Sequence, residues 1–375
     1  MMYAPHFLMI GAGGRNVGKT EFACHVIRNQ AAQRLVFGVK ITVIRENEGG
    51  GCPRGGQGCG VCGSLDRDFI LTEETCNAGN KDTARMKAAG AAGVFWLRVR
   101  QVHIDKGLTA LINAIPTGAC VVCESNSARL ALEPGTFLVI RAAGSEAIKA
   151  SCAAVIAEAD RILVFDGKGW DFSPERCSFE QGVWRVPALA SAVVLAGGKS
   201  SRMGSDKALL IFRGKPLFCH ILDQLAPLFD DVLVSAQDPE KYSFAGQRVV
   251  RDEQPNQGPL MGILSALQAA TYDRLFVTAC DIPLQPVLLI RSMLRKAAHA
   301  DLVMPAGPEG RFEPLMAVYT RRLVPVIRAV IARGGRRMID LFDEPEIKTV
   351  VVPLPETGGF GNLNTPEDYE RALNP

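Results

Sequence analysis

Two apolar runs along the chain share one design. Phe7-Leu8-Met9-Ile10 leads into Gly11-Ala12-Gly13-Gly14, and Ala192-Val193-Val194-Leu195-Ala196 leads into Gly197-Gly198; a stretch with helical spacing follows each. An unbroken apolar run predicts a strand buried on both faces, as in a parallel sheet. Glycines directly after it let backbone N–H groups approach an anion at a helix start. Further strands are predicted over 35–44, 93–99, 119–123, 137–140 and 161–165, then over 231–235, 248–251, 274–278, 301–304, 316–319 and 348–353. Helical spacing lies between them, as over 21–29, 260–270 and 322–333. Strands alternating with helices imply α/β layers whose ligands sit beyond the carboxyl ends of the strands, where both glycine turns fall.

Length and charge narrow the picture. A chain of 375 residues is long enough for two or three domains at about 150 residues each. The repeated strand-and-glycine opening places a boundary near Pro187, giving domains 1–187 and 188–375. The 42 Lys and Arg against 39 Asp and Glu leave a net charge of +3. That is too near neutrality for a protein that grips duplex nucleic acid on a broad basic surface. At 47% hydrophobic content the chain is not a disordered one. No apolar run reaches the roughly 18 residues of a membrane helix. The start Met1-Met2-Tyr3-Ala4-Pro5-His6 has no basic segment leading into an apolar core, so no signal peptide is expected. Eleven scattered cysteines fit reduced thiols better than a disulfide framework. The expectation is a cytoplasmic protein with neither nucleic acid nor membrane as partner.

The chemistry concentrates at the two bends. In the second half, Leu195-Ala196-Gly197-Gly198-Lys199-Ser200-Ser201-Arg202-Met203-Gly204-Ser205-Asp206-Lys207 is a strand end carrying glycines, hydroxyls and cations. Gly197 and Gly198 open backbone N–H groups to a triphosphate, and Arg202 and Lys207 can neutralise its charge. Asp252 and Asp281 could each close a turn, Asp281 less readily because it precedes Ile282-Pro283 after the apolar run Leu275-Phe276-Val277. In the first half, Gly13-Gly14-Arg15-Asn16-Val17-Gly18-Lys19-Thr20 fits G-x-x-x-x-G-K-[ST] between a strand and a helix. Lys19 would reach the β/γ-phosphate oxygens and Thr20 would hold Mg²⁺. A second acid is needed near that metal, and Glu124 or Asp166 could supply it, Glu124 being favoured because Ser125-Asn126-Ser127 follows; Asp166 could instead read a base or close a turn.

The second half resembles the molybdenum cofactor guanylyltransferases (MobA). The motifs, in order, are the Leu195–Lys207 string, Gly214-Lys215-Pro216-Leu217, Arg251-Asp252 with Gln257-Gly258-Pro259-Leu260-Met261-Gly262, Cys280-Asp281-Ile282-Pro283, and Asn362-Leu363-Asn364-Thr365-Pro366. The resemblance implies a Rossmann-like nucleotidyltransferase domain. Leu195, Ala196, Gly197 and Gly198 would cradle GTP, Lys207 would hold its phosphates, and Asp252 would lie on the nucleotide side. Asp281 would ligate Mg²⁺, and Asn362 and Asn364 would lie near the pterin. Gln237 stands where relatives often carry Asn. Thr365-Pro366-Glu367-Asp368 also reads as an ordinary capped helix start. The implied reaction transfers GMP from GTP to molybdenum-molybdopterin, with molybdoenzymes or cofactor-insertion proteins downstream. A cytidylyl- or sugar-nucleotidyltransferase on the same scaffold is the alternative. So is a regulatory GTP-binding protein with an inactive transferase module.

The first half resembles the molybdopterin-guanine dinucleotide accessory GTPases (MobB), through the P-loop, Val39-Lys40, and Lys81-Asp82-Thr83-Ala84-Arg85 through Ala91. A helix cap at Asp82-Thr83 explains part of that last segment. The resemblance implies a P-loop NTPase domain, so the whole is expected as two three-layer α/β domains. Between these motifs, Cys52, Cys59 and Cys62 sit on a glycine-rich stretch with Cys76 beyond it. Such thiols suit Zn²⁺ or an iron–sulfur cluster, a redox pair, or no ligand at all. Cys24, Cys120, Cys152 and Cys219 stand in apolar or helical settings and read as core residues.

Overall fold

The computed structural model describes residues 1–44, 65–196, 207–255, 257–307, 310–342, 344–354, 361–363 and 365–373. The chain forms two compact units, Met1–Val186 and Pro187–Pro375. Among the described residues, no helix is long and apolar enough to cross a membrane.

The first unit is a seven-stranded sheet in the order β3-β4-β2-β5-β1-β6-β7. Its strands are β1 (Met2–Ala12), β2 (Val36–Ile44), β3 (Phe69–Glu73), β4 (Gly93–Arg100), β5 (Cys120–Glu124), β6 (Leu132–Ala142) and β7 (Arg161–Phe165). All run parallel except the edge strand β3, which pairs antiparallel with β4. Helices α1 (Lys19–Ala31), α2 (Asp82–Ala88), α3 (Ile104–Ala114) and α4 (Ala150–Ala153) connect them. The central strands are apolar on both faces, as burial on both sides demands. Leu8, Ile10, Val122 and Leu138 join the cluster around Phe22 and Ile27 of α1, while Phe7, Met9, Val121 and Phe137 join the cluster around Leu108 and Leu111 of α3. A small hairpin, β8 (Ser178–Glu180) with β9 (Val183–Arg185), closes the unit. The fully buried Trp184 donates its indole N–H to the His6 carbonyl at 2.9 Å and so ties β9 to β1.

The second unit is a seven-stranded sheet in the order β14-β13-β10-β15-β17-β16-β18. Its strands are β10 (Ala188–Leu195), β13 (Phe229–Ala236), β14 (Arg248–Arg251), β15 (Arg274–Ala279), β16 (Leu302–Ala306), β17 (Met316–Thr320) and β18 (Thr349–Pro353), with β11 (Ile211–Phe212) and β12 (Lys215–Pro216) as a separate two-strand ribbon. Strand β17 alone in this sheet runs against its neighbours. The helices are α5 (Leu217–Leu225), α6 (Pro259–Ala269), α7 (Val287–Lys296), α8 (Val324–Ala332), α9 (Ile339–Phe342) and α10 (Pro366–Leu373). At the start of α10, Thr365 N–H bonds the Asp368 carboxylate at 3.0 Å and Asp368 N–H bonds the Thr365 hydroxyl at 3.2 Å. That reciprocal pair is the capped helix start expected from the sequence.

The chain builds outward from β10 through β13 to β14, then crosses back to place β15 on the other side of β10. The strand order therefore reverses between β10 and β15, the place in an open α/β sheet where a crevice forms at the carboxyl ends. Phe229 and Phe276 lock this sheet from below, their rings stacked 5.6 Å apart at 9° and both buried. Phe276→Ala is expected to destabilise the protein by about 3–5 kcal/mol, read from the midpoint of urea denaturation.

Candidate functional site

Asp281 lies two residues after the end of β15, which is paired with β10, Leu195 standing opposite Ala279. Burial pushes the Asp281 carboxyl up from its ordinary value, and the nearby Lys207 ammonium pulls it partly back. Two residues that the sequence places 74 apart thus share one field. The Asp281 carbonyl accepts the Leu363 N–H at 2.8 Å, which brings Asn362, half-buried, alongside the same loop.

Glu313 is a third charged group here, and the sequence reading missed it. Ala279 N–H bonds the Leu315 carbonyl at 3.2 Å, so the segment entering β17 lies against the segment leaving β15. Glu313 is fixed there by its N–H to Pro305 at 3.0 Å and its carbonyl to Met316 N–H at 3.0 Å. Burial raises its carboxyl pKa; Arg311 lowers it, and the like charge of Asp281 raises it further.

The other wall of the crevice is built from the ends of β10 and β13. Ala196 N–H bonds the Ser235 carbonyl at 2.8 Å, and the Ser235 hydroxyl donates to Asp252 Oδ1 at 3.2 Å. Asp252 is half-buried; burial raises its pKa and the Ser235 hydrogen bond lowers it. Gly262 of α6 packs onto this pair, and a Cβ there would stand 2.9 Å from Ser235 Oγ and 3.4 Å from Asp252 Oδ1. A side chain there would crowd the Ser235 hydroxyl that holds the carboxylate. Gln237 is exposed, and its carbonyl accepts from Arg251 Nε at 3.3 Å. Gly197, Gly198, Arg202 and Asn364 lie outside the described residues.

In the first unit the bend after β1 runs through Gly13 to Gly18, and α1 begins at Lys19. Gly18 has φ +69°, and a Cβ there would meet the Phe165 and Trp170 rings at 3.0–3.1 Å. The left-handed backbone and the close rings together require glycine. Gly13 is pinned by its N–H to the Ile140 carbonyl and by Lys149 N–H to its own carbonyl, both at 2.8 Å. Asn126 clamps the end of β1, accepting Ala12 N–H at 2.7 Å and donating to Ala12 O at 2.9 Å.

Lys19 Nζ stands 3.0 Å from Glu124 Oε2, at the end of the neighbouring strand β5. The Glu124 side chain is 0% exposed, and among the described residues neither of its oxygens accepts a well-formed hydrogen bond. A buried carboxylate in that state has acceptor capacity left for a cation or its water. Asp166, the other sequence candidate, closes a turn instead, accepting the N–H groups of Lys168 and Gly169 at 2.8 Å each.

Asp82 begins α2, but it does not cap it: Lys81 holds the cap position and no side chain bonds there. The Asp82 carboxylate accepts the Thr20 hydroxyl at 3.1 Å and pairs with Lys40. Lys40 in turn sits opposite Glu124 in the strand register. Lys19, Thr20, Lys40, Asp82 and Glu124 therefore form one polar cluster at the carboxyl edge of the sheet.

No group of three or more His, Cys, Asp and Glu suited to a metal is found among the described residues. Cys52, Cys59 and Cys62 lie outside them, and Cys76 is exposed with its thiol on the Ala78 carbonyl at 3.0 Å. Cys24, Cys120 and Cys152 are buried core residues and Cys219 is half-buried; burial pushes the Cys24 thiol up to about 11.

Three comparisons bear on the second unit. The MobA-like NTP transferase domain family matches residues 192–347. A probable molybdenum cofactor guanylyltransferase of Carboxydothermus hydrogenoformans is 35% identical over 188 residues, which is 49% of this chain and 94% of that protein. The molybdenum cofactor guanylyltransferase of Vibrio cholerae is 34% identical over 194 residues, covering 50% and 95%. Among solved structures, molybdopterin-guanine dinucleotide biosynthesis protein A of Archaeoglobus fulgidus aligns at a TM-score of 0.43 and 22% identity, covering 49% of this chain and 96% of that one.

The Asp82 cluster makes a pH prediction. Burial alone would raise the Asp82 pKa, but the Lys40 hydrogen bond and charge, the Lys19 charge and the Thr20 hydroxyl together hold it below its ordinary value. A depressed carboxylate stabilises the fold above its unfolded pKa and loses that contribution as pH falls through the folded value. Asp82→Asn is expected to flatten the acid limb of a plot of melting temperature against pH, relative to the parent protein.

Proposed function

Through its second half the chain belongs to the molybdenum cofactor guanylyltransferase family, and we propose that it transfers GMP from GTP to molybdenum-bearing molybdopterin, with pyrophosphate leaving. The observation that carries this reading is the place of Asp281, half-buried on the loop after β15 at the reversal of strand order, with the Lys207 charge acting on its carboxyl.

The chemistry follows from charge. The acceptor is a phosphate monoester, mostly dianionic at neutral pH, so it needs no base before its oxygen attacks the α-phosphorus. As the new P–O bond forms, the bond from the α-phosphorus to the bridging oxygen breaks and its electron pair leaves with pyrophosphate. What opposes the step is repulsion between anions and loss of orientation. Lys207 supplies fixed positive charge, with Arg202 and the N–H groups after Ala196 as its expected partners. Asp252, held by Ser235 against Gly262, is suited to accept donors from the nucleotide. Asn362 approaches from the side where the pterin is expected.

Asp281 has the chemistry to hold Mg²⁺: a hard oxygen donor on a strand-end loop whose charge is costly to bury without a cation nearby. The ion, when bound, would neutralise charge on the triphosphate. Glu313 adds a second carboxylate to that field.

The first unit is read as a P-loop domain that binds GTP through Gly13, Gly18, Lys19 and Thr20, with Glu124 completing the Mg²⁺ side. The fit rests on the Lys19–Glu124 contact, the left-handed Gly18 and the remaining acceptor capacity of Glu124. Its role would be accessory, keeping a second nucleotide site in the same chain.

The test is turnover with each of the four nucleoside triphosphates and molybdenum-loaded pterin, followed by product mass. GTP alone should give product. Asp281→Ala should abolish Mg²⁺-dependent pyrophosphate release while leaving the circular dichroism spectrum unchanged; wild-type turnover in that variant would overturn the reading. Lys19→Ala should remove one of two GTP sites in equilibrium dialysis and leave pyrophosphate release with free pterin intact.

A further inference from the structure

The loop that carries Asp281 is held at three successive carbonyls. Each is taken by a donor from a different place. Asp281 O accepts Leu363 N–H, Ile282 O accepts Gln285 Nε2, and Pro283 O accepts Gln224 Nε2, all at 2.8 Å. Ile282 and Pro283 are buried, so their carbonyls need partners within the protein.

Gln224, near the end of α5, uses both ends of its amide. Nε2 also donates to the His220 carbonyl at 3.1 Å, and Oε1 accepts Gln285 N–H at 3.1 Å. The first residue of the same helix, Leu217, donates its N–H to Leu210 O at 2.8 Å, and Leu210 N–H reaches Lys207 O at 3.3 Å. A helix of nine residues therefore touches the turn that opens with Lys207 at one end and the loop that opens with Asp281 at the other.

We propose that Gln224 is a positioning residue for the transfer reaction: through Pro283 and Gln285 it fixes the Asp281 carboxylate relative to Lys207. The role rests on the transfer reading of the same site, and it acts on the divalent cation that Asp281 would hold. A helix is stiff, so the separation of the two charged groups is set by α5 rather than by the loops themselves. Loss of an outer partner that orients a metal ligand ordinarily costs about 10–100-fold in metal affinity.

The experiment uses the full chain carrying Lys19→Ala, which silences the bend of the first unit. Free Mn²⁺ is followed by electron paramagnetic resonance in the presence of GTP, and pyrophosphate release is followed as a function of Mg²⁺. Gln224→Leu fills the same space without donor or acceptor. It should weaken Mn²⁺ binding and raise the Mg²⁺ concentration for half-maximal rate by about 10–100-fold, with the KM for GTP at saturating Mg²⁺ unchanged. Gln224→Glu keeps the acceptor for Gln285 N–H and loses the donors; it should fall between the two, and it decides the matter by the same readouts if Gln224→Leu does not fold. Wild-type Mn²⁺ affinity and wild-type Mg²⁺ dependence in these variants, whether or not their melting temperature falls, would overturn the proposal. Absence of product from the parent chain would instead count against the transfer reading, and the Mn²⁺ measurement would still decide the role of Gln224.

Discussion

A carboxylate taken out of water must be given a cation or give up its charge, and the second unit is arranged around that constraint. Asp281 is half-buried at the crevice with Lys207 in its field and Glu313 adding a like charge. The sheet order creates the crevice, α5 spans the two charged groups, and the segment through Leu363 returns to the same loop. The fold is thus a frame for one electrostatic arrangement.

The first unit reaches the same kind of solution with different parts. In both, a central strand ends in a bend and the adjacent parallel strand delivers an acid: Ile10 stands opposite Glu124, and Leu195 stands opposite Ala279, two residues before Asp281. The cation differs in origin. Lys19 comes from the first residue of the helix after the bend, whereas Lys207 opens a short turn. Parallel strands place such groups at one edge because every strand ends on the same side.

Much of this was legible in the sequence because buried parallel strands are unbroken apolar runs. The stretches expected over 161–165 and 248–251 coincide with β7 and β14, and the helix expected over 260–270 is α6 displaced by one residue. What escaped notice depends on direction or distance. Strand β17 reads like any other apolar run, yet it runs backwards. A residue before it, Glu313, therefore arrives at the edge where residues after the other strands arrive. Asp82 resembled a helix cap because local pattern cannot show that its partners, Thr20 and Lys40, lie 62 and 42 positions away. Gln224 carries no local signature at all, since an amide on a helix acquires meaning only from what it touches. The glycine and cysteine stretches around Gly197, Arg202 and Cys59 fall outside the described residues, so their roles stand on sequence alone.

The ion pair at the start of α1 has a consequence for what the first unit can bind. Glu124 is sealed from solvent and leans on Lys19 at 3.0 Å. An anion that draws the ammonium toward itself strands a carboxylate in the interior, a penalty of several kcal/mol. A bare phosphate has nothing with which to offset it. On the proposed reading of this bend, a phosphate that arrives chelated to a divalent ion would bring the replacement charge with it, and the chelate would be favoured over the free oxyanion.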